Sequence, residues 1–459
     1  MSQPGLPALK PVIEAANLES TLSLPVIMVI VGGIFLGTLA ISRFSLKVGV
    51  PAILGVLLFG LAINPQTPVF SHTTVEWLHT LSLAMLLFYA GLRSELRLIR
   101  GFLEYGILLA LGGVVISSLL LSGITWLVAT PDAGGLQMAL GKVPISVAML
   151  IAACLGSTDA GATLSVLKPL GRSLPPRVVG LLEFESSLND PAAILFMGLV
   201  VGLTAGSHHG GAASTVLHEA QVFVQQMGAG VLVGLILGYL ACFCLNKLVH
   251  EKEQLLVLGV AIGLLSCGVA DLLKGSGFIA AYITGMFLSN HRYSNQRISS
   301  GLLQEALLPF NTMTEICVFL IFGLVVHPAD ILPSLPEGLV IGAGMMLIAR
   351  PLSVLFFQNF SPFDLRESLL ISWCGLRGAV PLALTFVVSQ TIPRLPEISE
   401  AMATPLVRNA EGIIFIVVVF NLLIQGLSLP HVSRWLLQQR LLTPEALSSE
   451  PGPAEAGDR

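Results

Sequence analysis

The segment FESSLNDPAAILF, residues 184–196, places two carboxylates, an amide and two hydroxyls directly before a run of apolar side chains. Charge is scarce in this chain, since 54% of its 459 residues are hydrophobic and only 11% are charged. An ionisable side chain at the centre of an apolar helix costs roughly 2.5–3.5 kcal/mol on insertion scales, so it needs a partner, a water-filled cavity or a function. The residues that we assign to this class are Asp159, Glu183, Glu185, Asp190, Arg350 and Arg377.

Asp190 is the carboxylate in this segment that is best suited to exchanging ions. It is predicted near the middle of a membrane helix, with Asn189 beside it and Ser186 one turn earlier, while Asp159 and Thr158 reach a similar depth from the preceding helix. Carboxylate, amide and hydroxyl oxygens are ligands that hard cations prefer. Because burial disfavours a charged carboxylate unless a cation compensates it, this group would hold either a proton or a cation, which is monovalent or divalent. Alternating access around it would give obligatory exchange.

The remaining intramembrane charges are predicted to organise the site. Glu185 and Arg350 are expected about 10 and about 12 Å from the same membrane surface, so they can form an ion pair, which we interpret as structural. Interrupted helices direct partial charges inward. Arg377 therefore either balances helix C-terminal ends or pairs with Asp159, and an organising role is favoured over contact with an ion. Glu183 either attracts cations into a funnel or is a solvated carboxylate at a helix end.

These residues lie on a chain that is predicted to be an all-α polytopic membrane protein. Its mean hydropathy is +0.85, and its continuous apolar blocks with small residues are typical of membrane helices rather than of alternating barrel strands. Windows of about 20 residues, the length that crosses the hydrocarbon core, predict about thirteen membrane helices. They lie near 22–42, 47–63, 75–92, 101–128, 143–168, 178–205, 218–248, 253–271, 276–289, 302–326, 336–358, 367–390 and 409–432.

The basic residues predict the orientation of these helices. Most of the 23 Lys and Arg residues fall in the loops on one side, and positively charged loops face the cytoplasm. The sequence thus predicts a multi-pass protein of the cytoplasmic membrane, or of an internal membrane such as a thylakoid. Its transmembrane domain would cover 22–438, between an outside N-terminal segment over 1–21 and a short cytoplasmic tail over 439–459. The tail is polar with Pro and Gly, a composition that predicts disorder.

The helix order predicts inverted repeats. We expect repeat one over 22–205, a linking helix over 218–248 and repeat two over 253–438. Substrate sites of such transporters lie where corresponding helices of the two repeats are interrupted. The fifth and twelfth helices contain CLGSTDAGATLS (154–165) and WCGLRGAVPLAL (373–384), each with glycines around a charged residue. Glycines in membrane helices otherwise serve packing, but the bracketed charges favour interrupted, crossing helices here.

Three motifs in this order resemble those of the NhaP-type sodium/proton antiporters of the cation:proton antiporter superfamily. They are STDAGATLSVLK (157–168), EFESSLNDPAA (183–193) and WCGLRGAVPLAL (373–384), and the resemblance covers roughly residues 22–438. It implies that Asp190 is the exchanged carboxylate. It also implies a homodimer in which a core of interrupted helices moves against a dimerisation domain.

The resemblance implies roles for the neighbouring residues as well. Thr158 and Asp159 correspond to the family's Thr-Asp motif on the unwound fifth helix, and Asn189 and Asp190 correspond to its Asn-Asp motif, with Ser186 as a supporting ligand. The family's internal ion-pair and helix-crossing positions match Glu185, Arg350 and Arg377. Related electrogenic antiporters have a second Asp where Asn189 stands, so the resemblance and the electrostatics both favour electroneutral exchange of one cation for one proton.

The sequence therefore predicts a secondary active antiporter that exchanges Na⁺, or Li⁺ or K⁺, for H⁺, with the cation at Asp190 and Asp159. A K⁺/H⁺ antiporter of the same fold is the alternative, and a passive cation channel is a weaker one. Pro191 departs from the small residues or glycine that more usually follow the Asn-Asp pair.

No enzymatic activity is expected. An intramembrane hydrolase built on Ser157 or Ser186 would lack a helical His or Lys base to activate the serine. We expect no cofactor beyond the transported ions and no nucleic-acid partner. The expected partners are membrane lipid and a second copy of the chain, and the sequence gives no basis for predicting a regulatory partner.

Overall fold

The computed structural model describes most of the predicted transmembrane region. The described residues are 24–48, 52–63, 72–94, 96, 101–129, 143–167, 174–204, 212–249, 251, 253–291, 293, 299–326 and 328–438. They form helices and contain no β-strand, which confirms the all-α prediction. The predicted N-terminal segment 1–21 and the tail 439–459 lie outside the described residues.

We number the helices in chain order. The first are α1 (Leu24–Val48), α2 (Ala52–Ile63), α3 (His72–Arg93) and α4, which comprises Leu103–Ile107, a π-helical turn over Leu108–Gly112, and Gly113–Ala129. Next come α5a (Ile145–Cys154), α5b (Ala160–Leu167), α6 (Pro176–Thr204), α7 (Ala212–Leu248), α8 (Glu253–Leu272), α9 (Gly277–Asn290) and α10 (Ser300–Val325). The last are α11 (Pro328–Gly344, a π-helical turn over Met345–Ala349, and Arg350–Phe356), α12a (Leu365–Trp373), α12b (Ala379–Thr391) and α13 (Glu400–Gln438).

The length and composition of these helices fit a membrane protein. Seven helices in the described part are long and apolar enough to cross a membrane, and five shorter apolar helices accompany them. The long ones lie in α4, α6, α7, α8, α10, α11 and α13. Each predicted window overlaps a helix of the structure. The polytopic prediction is therefore confirmed, whereas the number of membrane crossings stays a prediction.

The helices pack as two bundles. The glycine-packed bundle contains α1, α2, α3, α7, α8, α9 and α10, and the broken-helix bundle contains α4, α5a, α5b, α6, α11, α12a, α12b and α13. In the first, a Cβ atom at Gly91 of α3 would overlap the Tyr282 carbonyl of α9, and one at Gly323 of α10 would overlap the Leu57 carbonyl of α2. Small residues permit such close approach, so these helix pairs touch along their backbones.

Irregular turns occur at corresponding places in the broken-helix bundle. The fourth and eleventh helices each contain a π-helical turn, and the fifth and twelfth are each broken in the middle. Gly112 ends the first π-helical turn, and a Cβ atom there would lie 2.5 Å from Cζ of Phe357, directly after α11. This glycine therefore admits the Phe357 ring between the two π-containing helices. The correspondence agrees with inverted repeats whose interrupted helices cross.

Candidate ion-binding site

The two broken helices meet at their breaks. The unwound segments are 155–159, between α5a and α5b, and 374–378, between α12a and α12b. The Asp159 N–H donates to the Leu376 carbonyl at 2.7 Å, so a backbone N–H of one unwound segment is paired with a backbone carbonyl of the other. Backbone groups that a break frees must find partners when they are away from water. The predicted interruption of both helices is confirmed.

Asp159 stands at the start of α5b. Its Oδ1 accepts a hydrogen bond from the Ala162 N–H at 3.0 Å, as a residue that caps a helix N-terminus does. A Cβ atom at Gly378 would overlap the same carboxylate. Asp159 thus lies between the first turn of α5b and the backbone of the unwound segment 374–378, and only glycine leaves room for it there.

Arg377 interacts with the C-terminal end of α5a. Its side chain is 1% exposed, and its Nη1 donates to the Gly156 carbonyl at 2.9 Å and to the Ser157 carbonyl. These carbonyls follow α5a, where the helix dipole places partial negative charge. Within the described part of the chain, Arg377 forms no ion pair with Asp159. The geometry thus corresponds to the organising alternative rather than to direct pairing.

Side chains of α6 are tied to the break in α5. Asn189 Nδ2 donates to Thr158 Oγ1 at 2.7 Å, and the Thr158 N–H donates to Asn189 Oδ1 at 3.4 Å. Ser186 Oγ donates to the Thr158 carbonyl at 3.0 Å and accepts from the Ala160 N–H at 3.2 Å. Both polar atoms of the amide are therefore engaged. The structure brings Thr158, Ser186 and Asn189 together, and their mutual bonds position the adjacent carboxylates.

Asp190 differs from these neighbours because its carboxyl group has no comparable partner. The side chain is half-buried, interacts electrostatically with Asp159 and lies close to the Ser157 hydroxyl. Among the described residues, neither a cationic side chain nor a backbone N–H pairs with it. The site thus contains a carboxylate whose charge no described group neutralises.

Glu185 and Arg350 form a buried ion pair. Arg350 Nη1 lies 2.7 Å from Glu185 Oε1, and Arg350 Nη2 donates to Glu185 Oε2 at 2.9 Å. The two side chains are 1% and 4% exposed. Arg350 directly follows the π-helical turn of α11, and a Cβ atom at Gly375 would lie 2.8 Å from its Nε. The pair therefore joins α6 to α11 beside the unwound segment of α12.

Glu183 forms an ion pair, which neither of its two predicted roles included. Its carboxylate pairs with Arg93 at the end of α3, and the side chains of Arg93 and Glu183 are 40% and 27% exposed. The sequence left a funnel and a solvated helix end open for Glu183. In the structure this residue connects the broken-helix bundle to the glycine-packed bundle.

Two polar side chains near the site were missed or misjudged from the sequence. The sequence indicates Ser157 only as a nucleophile, whereas its buried hydroxyl lies beside Asp190. No sequence motif marks Glu315, which is half-buried in α10 and interacts electrostatically with Asp159. A carboxylate inside the predicted helix 302–326 was the available signal.

Comparisons with known proteins show the family and the fold of the chain. The profile of the family described as "Sodium/hydrogen exchanger, transmembrane" matches residues 27–435. The chain is 32% identical over 403 residues to the K⁺/H⁺ antiporter NhaP2 of Shewanella oneidensis, covering 86% of this chain and 64% of that protein. It is 30% identical over 435 residues to the K⁺/H⁺ antiporter NhaP of Alkalimonas amylolytica, covering 92% of this chain and 68% of that protein.

A solved structure shares the fold. The sodium proton antiporter MjNhaP1 of Methanocaldococcus jannaschii superposes with a TM-score of 0.70 at 21% identity, covering 87% of this chain and 99% of that one. The chain spans 64% of the length of the Shewanella relative. Because the family profile matches most of the chain, the protein belongs to the transmembrane sodium/hydrogen exchanger family.

Proposed function

We propose that the chain is a secondary active antiporter that exchanges a monovalent cation, Na⁺, Li⁺ or K⁺, for a proton at Asp190 by alternating access. One observation carries the proposal: Asp190 is half-buried beside Asp159 at a helix break, with no described cationic or N–H partner. A carboxylate in such a place needs a proton or a cation. Family membership supports the same function.

The neighbouring residues suggest how the site works. Asp159 contributes a second carboxylate, held at the start of α5b by the Ala162 N–H. The bonds between Asn189 and Thr158 keep the two carboxylates next to each other. A cation would be bound by carboxylate oxygens from both helices, and a proton on Asp190 would displace it. Because the Asn189 side chain does not titrate, one monovalent cation is exchanged for one proton. The exchange therefore moves no net charge across the membrane and is electroneutral.

K⁺/H⁺ exchange is the second candidate for the same site. The names of the Shewanella and Alkalimonas relatives specify K⁺. Na⁺ is specified for the antiporter NhaS2 of Synechocystis, which is 25% identical over 399 residues. Ion selectivity depends on cavity size and on the number and field strength of ligands. The transported ion is therefore part of the experiment below.

The placement of the chain in a membrane is also proposed. We propose inverted repeats over 22–205 and 253–438, linked by a helix over 218–248, in a homodimer in the cytoplasmic membrane. The N-terminal segment 1–21 would lie outside and the tail 439–459 in the cytoplasm. The broken-helix bundle would move against the glycine-packed bundle, because the former carries the carboxylates and the latter is held by backbone contacts. No enzymatic step and no cofactor are part of this proposal.

The test is proton flux in proteoliposomes that contain the purified chain. An internal pH dye is read after separate additions of Na⁺, Li⁺ and K⁺, with and without a clamp on the membrane potential. The expected result is a cation-dependent pH change whose rate is the same with and without the clamp. The initial rates of proton flux then rank Na⁺, Li⁺ and K⁺ as substrates. Leakage of cation without any pH response would contradict antiport and favour a passive channel.

A further inference from the structure

Arg93 and Glu183 form an ion pair across the boundary between the two bundles. Arg93 is the last residue of α3 in the glycine-packed bundle, and Glu183 lies in the first half of α6 in the broken-helix bundle. Glu185, two residues further along α6, pairs instead with Arg350 inside the broken-helix bundle. Movement of one bundle against the other would therefore break the pair of Arg93 with Glu183 and leave the pair of Glu185 with Arg350 intact.

The end of α3 is held within its own bundle. Gln304 of α10 donates from its Nε2 to the Leu92 carbonyl at 2.5 Å. The hydroxyl groups of Ser94 and of Tyr282 in α9 share a hydrogen bond at 3.1 Å. Carbonyl groups at the end of a helix lack partners within that helix, so the bond from Gln304 also satisfies the backbone there. Arg93 thus projects from a fixed part of the glycine-packed bundle, and the ion pair restrains α6.

One face of α6 leads from this ion pair to the proposed ion site. Ser187 and Asp190 follow Glu183 by four and seven residues, so the three side chains lie on the same side of the helix. Ser187 Oγ donates to the Glu183 carbonyl at 2.6 Å and lies close to the Tyr282 hydroxyl. This face of α6 is therefore directed toward the glycine-packed bundle, against whose helices α3 and α9 it packs. Asp190 lies on it about 10 Å beyond Glu183.

We propose that Arg93 and Glu183 form a latch between the bundles, and that Arg93 is a positioning residue that acts on Asp190 through α6. The inference rests on the proposed function, because alternating access requires the bundles to move. A closed latch holds the Asp190 face of α6 against α3 and α9, which shuts the path along this face at the end of α3. An open latch lets α6 leave that position. The latch therefore opens and closes once in each exchange cycle.

The exposure of the pair suits a contact that opens repeatedly. The side chains of Arg93 and Glu183 are 40% and 27% exposed, and a pair of this kind shifts an equilibrium by at most about fivefold. The closed position is favoured by such a pair but is not locked. A buried pair such as Glu185 with Arg350 resists separation much more strongly, because separation leaves a buried charge without compensation.

Cross-linking tests whether the latch has to open. Arg93→Cys and Glu183→Cys are combined and joined by a short, reducible bis-methanethiosulfonate reagent. Cation-dependent proton flux in proteoliposomes is measured before linking, after linking and after reduction, and the linked fraction is determined by mass spectrometry. We expect flux to fall in proportion to the linked fraction and to return on reduction. Flux that continues at the unlinked rate in the fully linked protein would overturn the latch.

The matched control is a link within one bundle at the same end of α3. Asn290 of α9 accepts a hydrogen bond from the Leu96 N–H at 2.9 Å, and both residues are exposed. A link between Leu96→Cys and Asn290→Cys replaces a contact that already joins the end of α3 to α9, so we expect it to leave flux unchanged. Each single-cysteine variant is treated with the same reagent to account for reaction at the native thiols.

Thiol accessibility separates the latch from the proposed function, because this measurement needs no transport. Ser187 is 6% exposed and lies on the face of α6 that the closed latch covers, so Ser187→Cys reports whether this face is open. We expect a water-soluble maleimide to label Ser187→Cys about two- to fivefold faster when Glu183→Gln is added. The exchanged pair Arg93→Glu with Glu183→Arg is expected to return the labelling to its slow rate.

The two measurements give distinguishable outcomes. Equal labelling rates of Ser187→Cys with and without Glu183→Gln would overturn the latch. A wild type that shows no cation-dependent proton flux would refute the proposed exchange, whereas faster labelling in the same protein after Glu183→Gln would still support the control of α6 by Arg93.

Discussion

Asn189 Nδ2 donates to Thr158 Oγ1 across 2.7 Å and thereby ties the middle of α6 to the unwound segment of α5. Each partner is followed in the chain by a carboxylate, Asp190 after Asn189 and Asp159 after Thr158. The hydrogen bond between Asn189 and Thr158 therefore controls the separation of Asp190 and Asp159. Ser186 adds a further tie, from its Oγ to the Thr158 carbonyl at 3.0 Å.

Removing the amide from this arrangement is expected to damage both stability and exchange. Asn189→Ala leaves the Thr158 N–H and hydroxyl without their partner, at a cost of about 1–3 kcal/mol in the free energy of unfolding. The two carboxylates also lose their fixed separation, so turnover falls. Thr204→Ala is the control, because in the described part of the chain the Thr204 hydroxyl bonds to carbonyls of its own helix and to no other group. Equal flux in the Asn189→Ala variant and the wild type would contradict the positioning role.

Asp190→Asn is expected to abolish exchange and leave the fold intact. The amide has nearly the same shape as the carboxyl group but can neither release a proton nor neutralise a cation. Flux is measured with the pH dye, and folding is measured by thermal unfolding in detergent. Asp159→Asn is expected to weaken cation affinity or turnover instead. Cation-dependent flux at the wild-type rate in Asp190→Asn would show that the exchanged group lies elsewhere.

The two ion pairs of α6 are expected to differ sharply in their contribution to stability. Breaking a buried pair by removing one partner costs about 3–5 kcal/mol, because an uncompensated charge stays buried. We therefore expect a loss of this size for Glu185→Gln, and a smaller loss when Arg350→Gln is added.

The exposed pair provides the comparison for that measurement. Glu183→Gln removes the partner of Arg93, and both side chains are partly exposed. A pair of this kind contributes at most about 1 kcal/mol. Unfolding of the variants in detergent gives both values, and equal losses for Glu183→Gln and Glu185→Gln would contradict the structural role of the buried pair.

Gly378→Ala is expected to impair the site by moving Asp159. The added methyl group would overlap the Asp159 carboxylate, so either the carboxylate or the unwound segment must shift. We expect KM for the cation to rise at least about tenfold, in line with the effect of small displacements at functional groups. Gly123→Ala is the matched control, because a Cβ atom at Gly123 in α4 meets nothing within 4 Å. Wild-type KM in Gly378→Ala would mean that the position of Asp159 does not limit cation binding.

The sequence predicted the broken helices because glycines bracket a charge in each of them, and this pattern is local. It also predicted that Glu185 and Arg350 can pair, since their positions along the two helices follow from the rise per residue, and the structure pairs them. The partner of Glu183 could not be predicted in the same way. Arg93 lies 90 residues away, and the contact depends on how α3 packs against α6.

The sequence does not show which way the side chain of Glu315 faces, and it therefore predicted no role for this residue. A single carboxylate in an apolar window has a predictable depth but no motif, and its direction depends on the packing of α10 against α12b. The choice between the two roles of Arg377 depended on three-dimensional placement as well. Its guanidinium reaches the Gly156 carbonyl, which is 221 residues away in the chain.

The π-helical turns have a consequence for insertions and deletions in this chain. A π-helical turn closes with one residue more than an α-helical turn, so the turn over Met345–Ala349 holds one residue that a regular helix would not need. Deleting one residue there would leave Arg350 in phase with the rest of α11. Deleting one residue within Pro328–Gly344 would rotate the two parts of the helix by about 100° relative to each other. Deletion of one residue is therefore expected to be tolerated within the π-helical turns, whereas a deletion on either side of them would change which way the helix faces.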